Sequence, residues 1–228
     1  MLRWEWFEII ECAPAELSVV RYWDTAFQKK RTSDFTVVVK YGLAHNGIGY
    51  ILHVARAQAT PHEVETFVAN TAGQDSRSIP VVLQQEPGSG SALWIDSMRR
   101  GVLRGYPIKA DPVRGSKFER SQPFRAAAKA SNIKILRGPW NEAFLNECEQ
   151  FSPDEREYEH EHDDQVDAVC GAFSYLAANR YEFSYTPVRS DGLRKVSREE
   201  QDKIDDAKSG HKGLGHLIKS RRWGPGGY

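Results

Sequence analysis

At 228 residues the chain suits one generous domain, or one domain with extensions, and its 40% hydrophobic and 11% aromatic content is enough for a real core. A formal net charge of zero excludes a uniformly basic nucleic-acid binder. The apolar runs are too short for a signal peptide or a membrane span, and Cys12, Cys148 and Cys170, odd in number and without metal-ligand spacing, point to reduced thiols in a cytoplasmic setting.

Residues 1–16 form an aromatic, charged lead-in containing Trp4, Trp6 and Phe7. Leu17 to Asp24 is predicted as a strand that ends in an acid. A polar turn from Gln28 to Ser33 leads to a second strand, Phe35 to Tyr41, rich in β-branched residues, and His45-Asn46-Gly47 turns the chain into a third, Ile48 to Ala55. Three strands with short links read as an antiparallel meander. Thr60-Pro61-His62-Glu63 then carries a helix start: a cap, a proline at the first position and a glutamate three residues after the cap. That helix runs to Thr71, followed by a short buried strand, Ile79 to Leu83, a loop, Gln84 to Gly90, and a helix, Ser91 to Val102. Next come a strand, Tyr106 to Lys109, a helix begun by Ser121-Gln122-Pro123-Phe124, a strand, Ile133 to Leu136, and two helices, Trp140 to Phe151 and Asp163 to Leu176. Strands alternating with helices after a meander predict an α/β domain over residues 17–188, with a mixed sheet of five or more strands flanked by helices. Tyr181 to Val188 reads as a last strand, and residues 189–228 as a Gly-rich tail of ten bases against six acids.

Charge is distributed unevenly. Between Asp96 and Arg137 eleven bases face three acids; between Glu142 and Asp167 eleven acids face one base. Such a pair of blocks suits a protein that holds a polyanion with one surface and metal ions with another; it equally suits two solvated faces that pair with each other. The acidic block ends in His162-Asp163-Asp164-Gln165-Val166-Asp167-Ala168, at the start of a helix whose Val166, Val169, Cys170, Phe173 and Leu176 recur at core-facing spacing. Asp164 and Asp167, three residues apart, share a helix face. Carboxylate oxygens at such a place are what Mg²⁺ or Mn²⁺ takes. Acids are also favoured in any first helical turn, so one of the three is as readily a cap.

A meander, a helix and a fourth strand open the ribonuclease H-like topology, in which the first and fourth strands lie side by side. Asp24 ends the first and Glu86 follows the fourth, and the last helix would carry Asp163, Asp164 and Asp167 to the same edge. Convergent acids of this kind hold two cations about 3.5–4 Å apart for phosphodiester hydrolysis, with a bridging carboxylate between them. The chain resembles the C-terminal nuclease domain of phage large terminase subunits. The residues carrying the resemblance are Tyr22-Trp23-Asp24-Thr25-Ala26 with Ser33-Asp34-Phe35-Thr36, Gln85-Glu86-Pro87-Gly88-Ser89-Gly90, Gly115-Ser116-Lys117-Phe118-Glu119-Arg120, Arg137-Gly138-Pro139-Trp140-Asn141-Glu142-Ala143-Phe144 and the His162–Ala168 stretch. The resemblance implies two Mg²⁺ or Mn²⁺ ions and endonuclease action on double-stranded, concatemeric DNA during genome packaging in the cytoplasm of an infected bacterial host. It implies Asp24, Glu86 and Asp164 as the catalytic acids, with Asp163 and Asp167 as further metal ligands. It also implies the portal protein, the small terminase subunit and an ATPase motor as partners. No Gly-x-x-x-x-Gly-Lys-Ser/Thr motif is present, so the motor is expected to be missing and the chain alone not to translocate DNA.

Arg99, Arg100, Arg104, Arg114, Lys117 and Arg120 are candidates for DNA contacts, the last two one turn apart if helical. Asp34 reads as a turn residue. His160 and His162, two apart without cysteine partners, make a poor zinc site, although His162 could orient an acid. Gly88 and Gly90 suit either a plain turn or a close approach to DNA. Two other functions stay open on sequence alone: a Holliday-junction resolvase of the same superfamily, and a portal- or motor-docking module with little activity in isolation.

Overall fold

The computed structural model describes residues 2–25, 35–151 and 163–179. The Gln28–Ser33 turn, Asp34, His160, His162, the strand read at Tyr181–Val188 and the tail 189–228 lie outside the described residues.

The elements in chain order are a 3-10 turn (Trp4–Trp6), β1 (Glu8–Ile10), β2 (Ser18–Asp24), β3 (Thr36–Leu43), β4 (Gly49–Ala57), α1 (Pro61–Gly73), β5 (Val81–Gln85), α2 (Ser89–Arg100), β6 (Ile108–Pro112), α3 (Lys117–Lys129), β7 (Ile133–Leu136), α4 (Asn141–Gln150) and α5 (Asp164–Ala178). The strands form one seven-stranded sheet in the order β1-β7-β4-β3-β2-β5-β6. β3 is antiparallel to both of its neighbours and every other pairing is parallel, so the sheet is mixed, as the meander-then-crossover pattern predicts. Residues 1–16 supply the edge strand β1, which pairs with β7.

Both faces of the sheet are covered. Val20 and Tyr22 of β2 and Val37, Val39 and Tyr41 of β3 pack with α3, α4 and α5 in the larger core. Trp23, Val38, Val81 and Leu83 point to the opposite face, where α1 and α2 bury Val64, Val68, Trp94, Ile95 and Met98. The alternation along β2 and β3 is the two-residue period of a pleated strand. On the α1 side, Arg21 and Asp75 form an ion pair with Nε to Oδ2 at 2.6 Å and side chains only 4% and 5% exposed. Lys40 joins Asp75 at 2.7 Å, and Nδ1 of His53 accepts from the Arg21 guanidinium at 3.1 Å. Burial opposes ionisation of Asp75, yet the hydrogen bonds from Arg21 and Lys40 win and hold its carboxyl below the usual range.

Helix α1 starts where the sequence predicts: the Thr60 amide donates to Glu63 Oε2 at 2.8 Å with Pro61 at the first position. Helix α3 does not start at Ser121. It starts at Lys117, because Ser116 and Glu119 form a reciprocal capping box and leave Pro123 inside the helix. The start expected from the preference of proline for a first helical position yields to the stronger local signal at Ser116, five residues upstream of Ser121.

Candidate active site

The parallel pairing of β2 with β5 builds the centre of the site. Trp23 lies beside Leu83 in the ladder, so the next residues, Asp24 and Gln84, are neighbours at the strand ends, and Glu86 follows directly. Asp24 is 5% and Gln84 7% exposed. Gln84 Nε2 donates to Asp24 Oδ1 at 3.1 Å and to Glu86 Oε1 at 3.3 Å. One amide therefore ties both acids. The chain then turns through Gly88, whose φ of +124° suits glycine, into α2, so Gly88 answers to the turn itself, while Gly90 sits in the first turn of that helix.

Below this pair stands Tyr22. Its hydroxyl donates to Asp111 Oδ2 at 2.8 Å and lies 3.3 Å from Gln84 Oε1. Burial, then the Asp111 carboxylate, lifts the Tyr22 phenol well above its usual value, and Asp24 and Asp167 push the same way. Burial likewise raises Asp111, against the Tyr22 hydrogen bond and the charges of Arg114 and Arg120. These side chains line a cleft of about 240 Å³ between the β5–β6 edge and α5, walled by Tyr22, Gln84, Asp111, Arg114, Arg120 and Asp167.

The start of α5 forms the other wall. Its first-turn amides are satisfied from outside the helix: Gln165 N and Val166 N donate to Glu147 Oε1 of α4 at 2.6 and 3.1 Å. The Gln165 side-chain amide and Arg56 both donate to Glu147 Oε2. Asp163, at the cap position, makes no side-chain capping bond. Burial pushes the Glu147 carboxyl up to about 7, against the hydrogen bonds it accepts. Asp163 and Asp167 turn instead toward α3. Lys117 Nζ lies 2.5 Å from Asp163 Oδ1 and 4.0 Å from Asp167 Oδ2. Arg120 Nη2 donates to both oxygens of Asp167, at 3.0 and 2.8 Å. The basic and acidic blocks of the sequence meet at this helix pair.

Residues 21–176, more than half of the chain, match the family described as the terminase RNaseH-like domain. The chain belongs to the terminase RNase H-like domain family. The terminase domain is similar in fold to the large terminase nuclease of the thermophilic phage G20c with bound magnesium, at TM-score 0.54 and 17% identity over 75% of this chain and 93% of that one. It is similar to the human cytomegalovirus terminase nuclease domain, manganese-soaked and inhibitor-bound, at TM-score 0.53 and 16% identity over 78% and 87%. The Thermus phage P74-26 large terminase nuclease domain gives TM-score 0.52 and 14% identity over 75% and 91%. At these identities the likeness is one of fold. No curated protein sequence matches the chain.

The terminase domain thus has its expected acids in two groups: Asp24 with Glu86 on the Gln84 amide, and Asp163 with Asp167 on the α3 cations. Asp164 is the first residue of α5. Among the described residues no three His, Cys, Asp or Glu side chains stand close enough together to hold a metal ion. The donor set itself fits a hard divalent cation, being carboxylate oxygen from two strand ends and one helix start. Of the basic candidates, Lys117 and Arg120 reach the acids and Arg114 lines the cleft. Arg99 and Arg100 pair with Asp96 at the far end of α2, about 15 Å along the helix from the turn at Glu86, and Arg104 is exposed beyond it. Gln84, Tyr22, Asp111 and Glu147 escaped the sequence reading. Tyr22 sat inside a motif read for its acid, Gln84 was read as the start of a loop although it lies in β5, and Glu147 was one acid among eleven.

Proposed function

We propose that this terminase domain is a divalent-metal-dependent endonuclease that cuts double-stranded, concatemeric DNA during genome packaging in the infected bacterial cytoplasm. The observation that carries the reading is the β2–β5 register, which seats the Asp24 and Glu86 carboxylates on one buried amide at the end of the sheet. Asp24, Glu86 and Asp164 are the proposed catalytic acids, and Asp163 and Asp167 complete the set that would hold two Mg²⁺ or Mn²⁺ ions. When bound, such ions activate a water and stabilise the leaving oxygen of the phosphodiester.

The protein's own part is placement. Asp24 is fixed by a strand paired on both sides, with β3 and with β5. The start of α5 is fixed by Glu147, which leaves its acids to serve something other than the helix. Lys117 and Arg120 pair with Asp163 and Asp167; displaced by cations on those carboxylates, they would with Arg114 offer the phosphate backbone a cationic rim. Arg99, Arg100 and Arg104 would contact the duplex farther along α2. Phosphate contacts position DNA without reading its bases, so little sequence preference is expected. The portal protein, the small terminase subunit and an ATPase motor are the proposed partners.

Cleavage of supercoiled plasmid in EDTA, Mg²⁺ and Mn²⁺, beside Asp24→Ala, tests the reading. Metal-dependent nicking and linearisation that vanish in the variant are expected. No cleavage by the wild-type protein in either metal at low salt would refute it.

A further inference from the structure

We propose that Gln84 is a positioning residue of this nuclease: its buried amide, anchored by the Tyr22–Asp111 pair, fixes the Asp24 and Glu86 carboxylates in the orientation that receives the cation. The inference rests on the metal-dependent reading above and goes beyond it, to a neutral residue that touches no reacting atom.

Three adjacent strands build the arrangement. Tyr22 and Asp24 are two apart on β2 and share a face. Tyr22 lies beside Val82 of β5, so Gln84, two residues on, joins that face, and Gln84 lies beside Asp111 of β6. The side chains follow the register: the single Tyr22 hydroxyl proton is shared between Asp111 Oδ2 at 2.8 Å and, more weakly, Gln84 Oε1 at 3.3 Å, and Gln84 Nε2 reaches both acids. The amide has one sensible orientation. Turned over, it would set its carbonyl oxygen against two carboxylate oxygens.

The neighbouring helix makes room for this chain. A Cβ at Gly171 of α5 would stand 2.6 Å from Cε1, Cζ and Oη of Tyr22, so only glycine there lets the phenol pass between sheet and helix. β5 is paired on both sides and Gln84 is 7% exposed, so its backbone and side chain have little freedom. Chemistry also favours an amide here. It donates to two carboxylates without bringing a charge, whereas lysine or arginine in its place would compete with the cation for the same oxygens. A hydrogen-bonding partner of this kind orients metal ligands, and its loss typically weakens metal affinity by about 10- to 100-fold.

The test is Mn²⁺ binding to the full chain without DNA, by titration calorimetry, for wild type, Asp24→Ala, Gln84→Met and Tyr22→Phe, with thermal melts of each. Gln84→Met keeps the length and removes both donors; a loss of Mn²⁺ affinity of about tenfold or more is expected, with the melting temperature close to wild type. Tyr22→Phe removes one oxygen and adds nothing, and a smaller loss in the same direction is expected; it decides the case if Gln84→Met does not fold. Wild-type affinity in the folded Gln84 variant, or in Tyr22→Phe where that variant must decide, alongside loss of binding in Asp24→Ala, overturns the role of Gln84 and leaves the nuclease reading intact. A wild-type protein that takes up no Mn²⁺ overturns both.

Discussion

Replacing Glu147 with alanine should cost more stability than any other single change to a carboxylate in the domain. The side chain is 5% exposed and accepts from Gln165 N, Val166 N, the Gln165 amide and Arg56. Truncation orphans the two backbone amides and the Gln165 amide, each buried group costing about 1–3 kcal/mol. Arg56 is 35% exposed and adds little, since water screens it. Removing the buried carboxylate also relieves its own desolvation, so a net loss on the order of 3–5 kcal/mol is expected. With a urea m-value of about 2–3 kcal/mol/M, the unfolding midpoint should fall by about 1–2 M. Glu147→Gln keeps one acceptor oxygen for the α5 amides and should lose less. The pH dependence has a definite sign. Burial raises the folded carboxyl from 4.5 to about 7, so the native state binds the proton more tightly than the unfolded chain. The associated stability is full below the unfolded value and is lost as pH rises through about 7. Wild type should therefore gain on Glu147→Gln as pH falls from about 8 to 5. A midpoint shift in Glu147→Ala below about 0.3 M would refute the claim that this carboxylate holds the start of α5.

Three further outcomes follow from other contacts. Gly171→Ala forces a Cβ to 2.6 Å from the Tyr22 ring and should cost about 1–3 kcal/mol, read as a melting temperature lower by several degrees. Arg120→Ala should weaken binding to duplex DNA uniformly across sequences and reduce the salt slope by about one in fluorescence anisotropy; an unchanged slope would remove Arg120 from the phosphate contacts. Asp75→Asn should flatten acid unfolding: the folded carboxyl lies below its unfolded value, so the stability it confers is present above that value and lost as pH falls through the folded one.

The larger elements were legible because their signals are local. β-branched runs marked β2 to β4, the Thr60–Glu63 box marked α1, and the apolar spacing from Val166 to Leu176 marked α5, where the structure buries Val166, Val169, Cys170 and Leu176 and packs the partly buried Phe173 against the core. β1 was not legible: three residues carry no period, and its place depends on β7, more than 120 residues away. The start of α3 was written in Ser116 and Glu119 but competed with the pattern at Pro123. In the site, Asp24 and Glu86 could be paired on paper because strand order predicts neighbours. Gln84, Tyr22, Asp111 and Glu147 could not, because what distinguishes them is a side-chain partner on another element, and a hydrogen bond across 89 residues, as between Tyr22 and Asp111, leaves no trace in spacing.

The pairing of β1 with β7 bears on the order in which the protein is assembled at the ribosome. Glu8, Ile9 and Ile10 are made well before their partners Lys134, Ile135 and Leu136, with the five strands β2 to β6 lying between them in sequence. β1 must therefore wait, without its partner, while the intervening strands are made and close the sheet late, a non-local step of the kind that slows folding. Until it does, β7 is itself an edge, and its buried Ile133 and Ile135 sit on a ladder open to other chains. A brief window of aggregation risk during translation, closed by the three residues of β1, is the cost of pairing two neighbouring strands that lie so far apart in sequence.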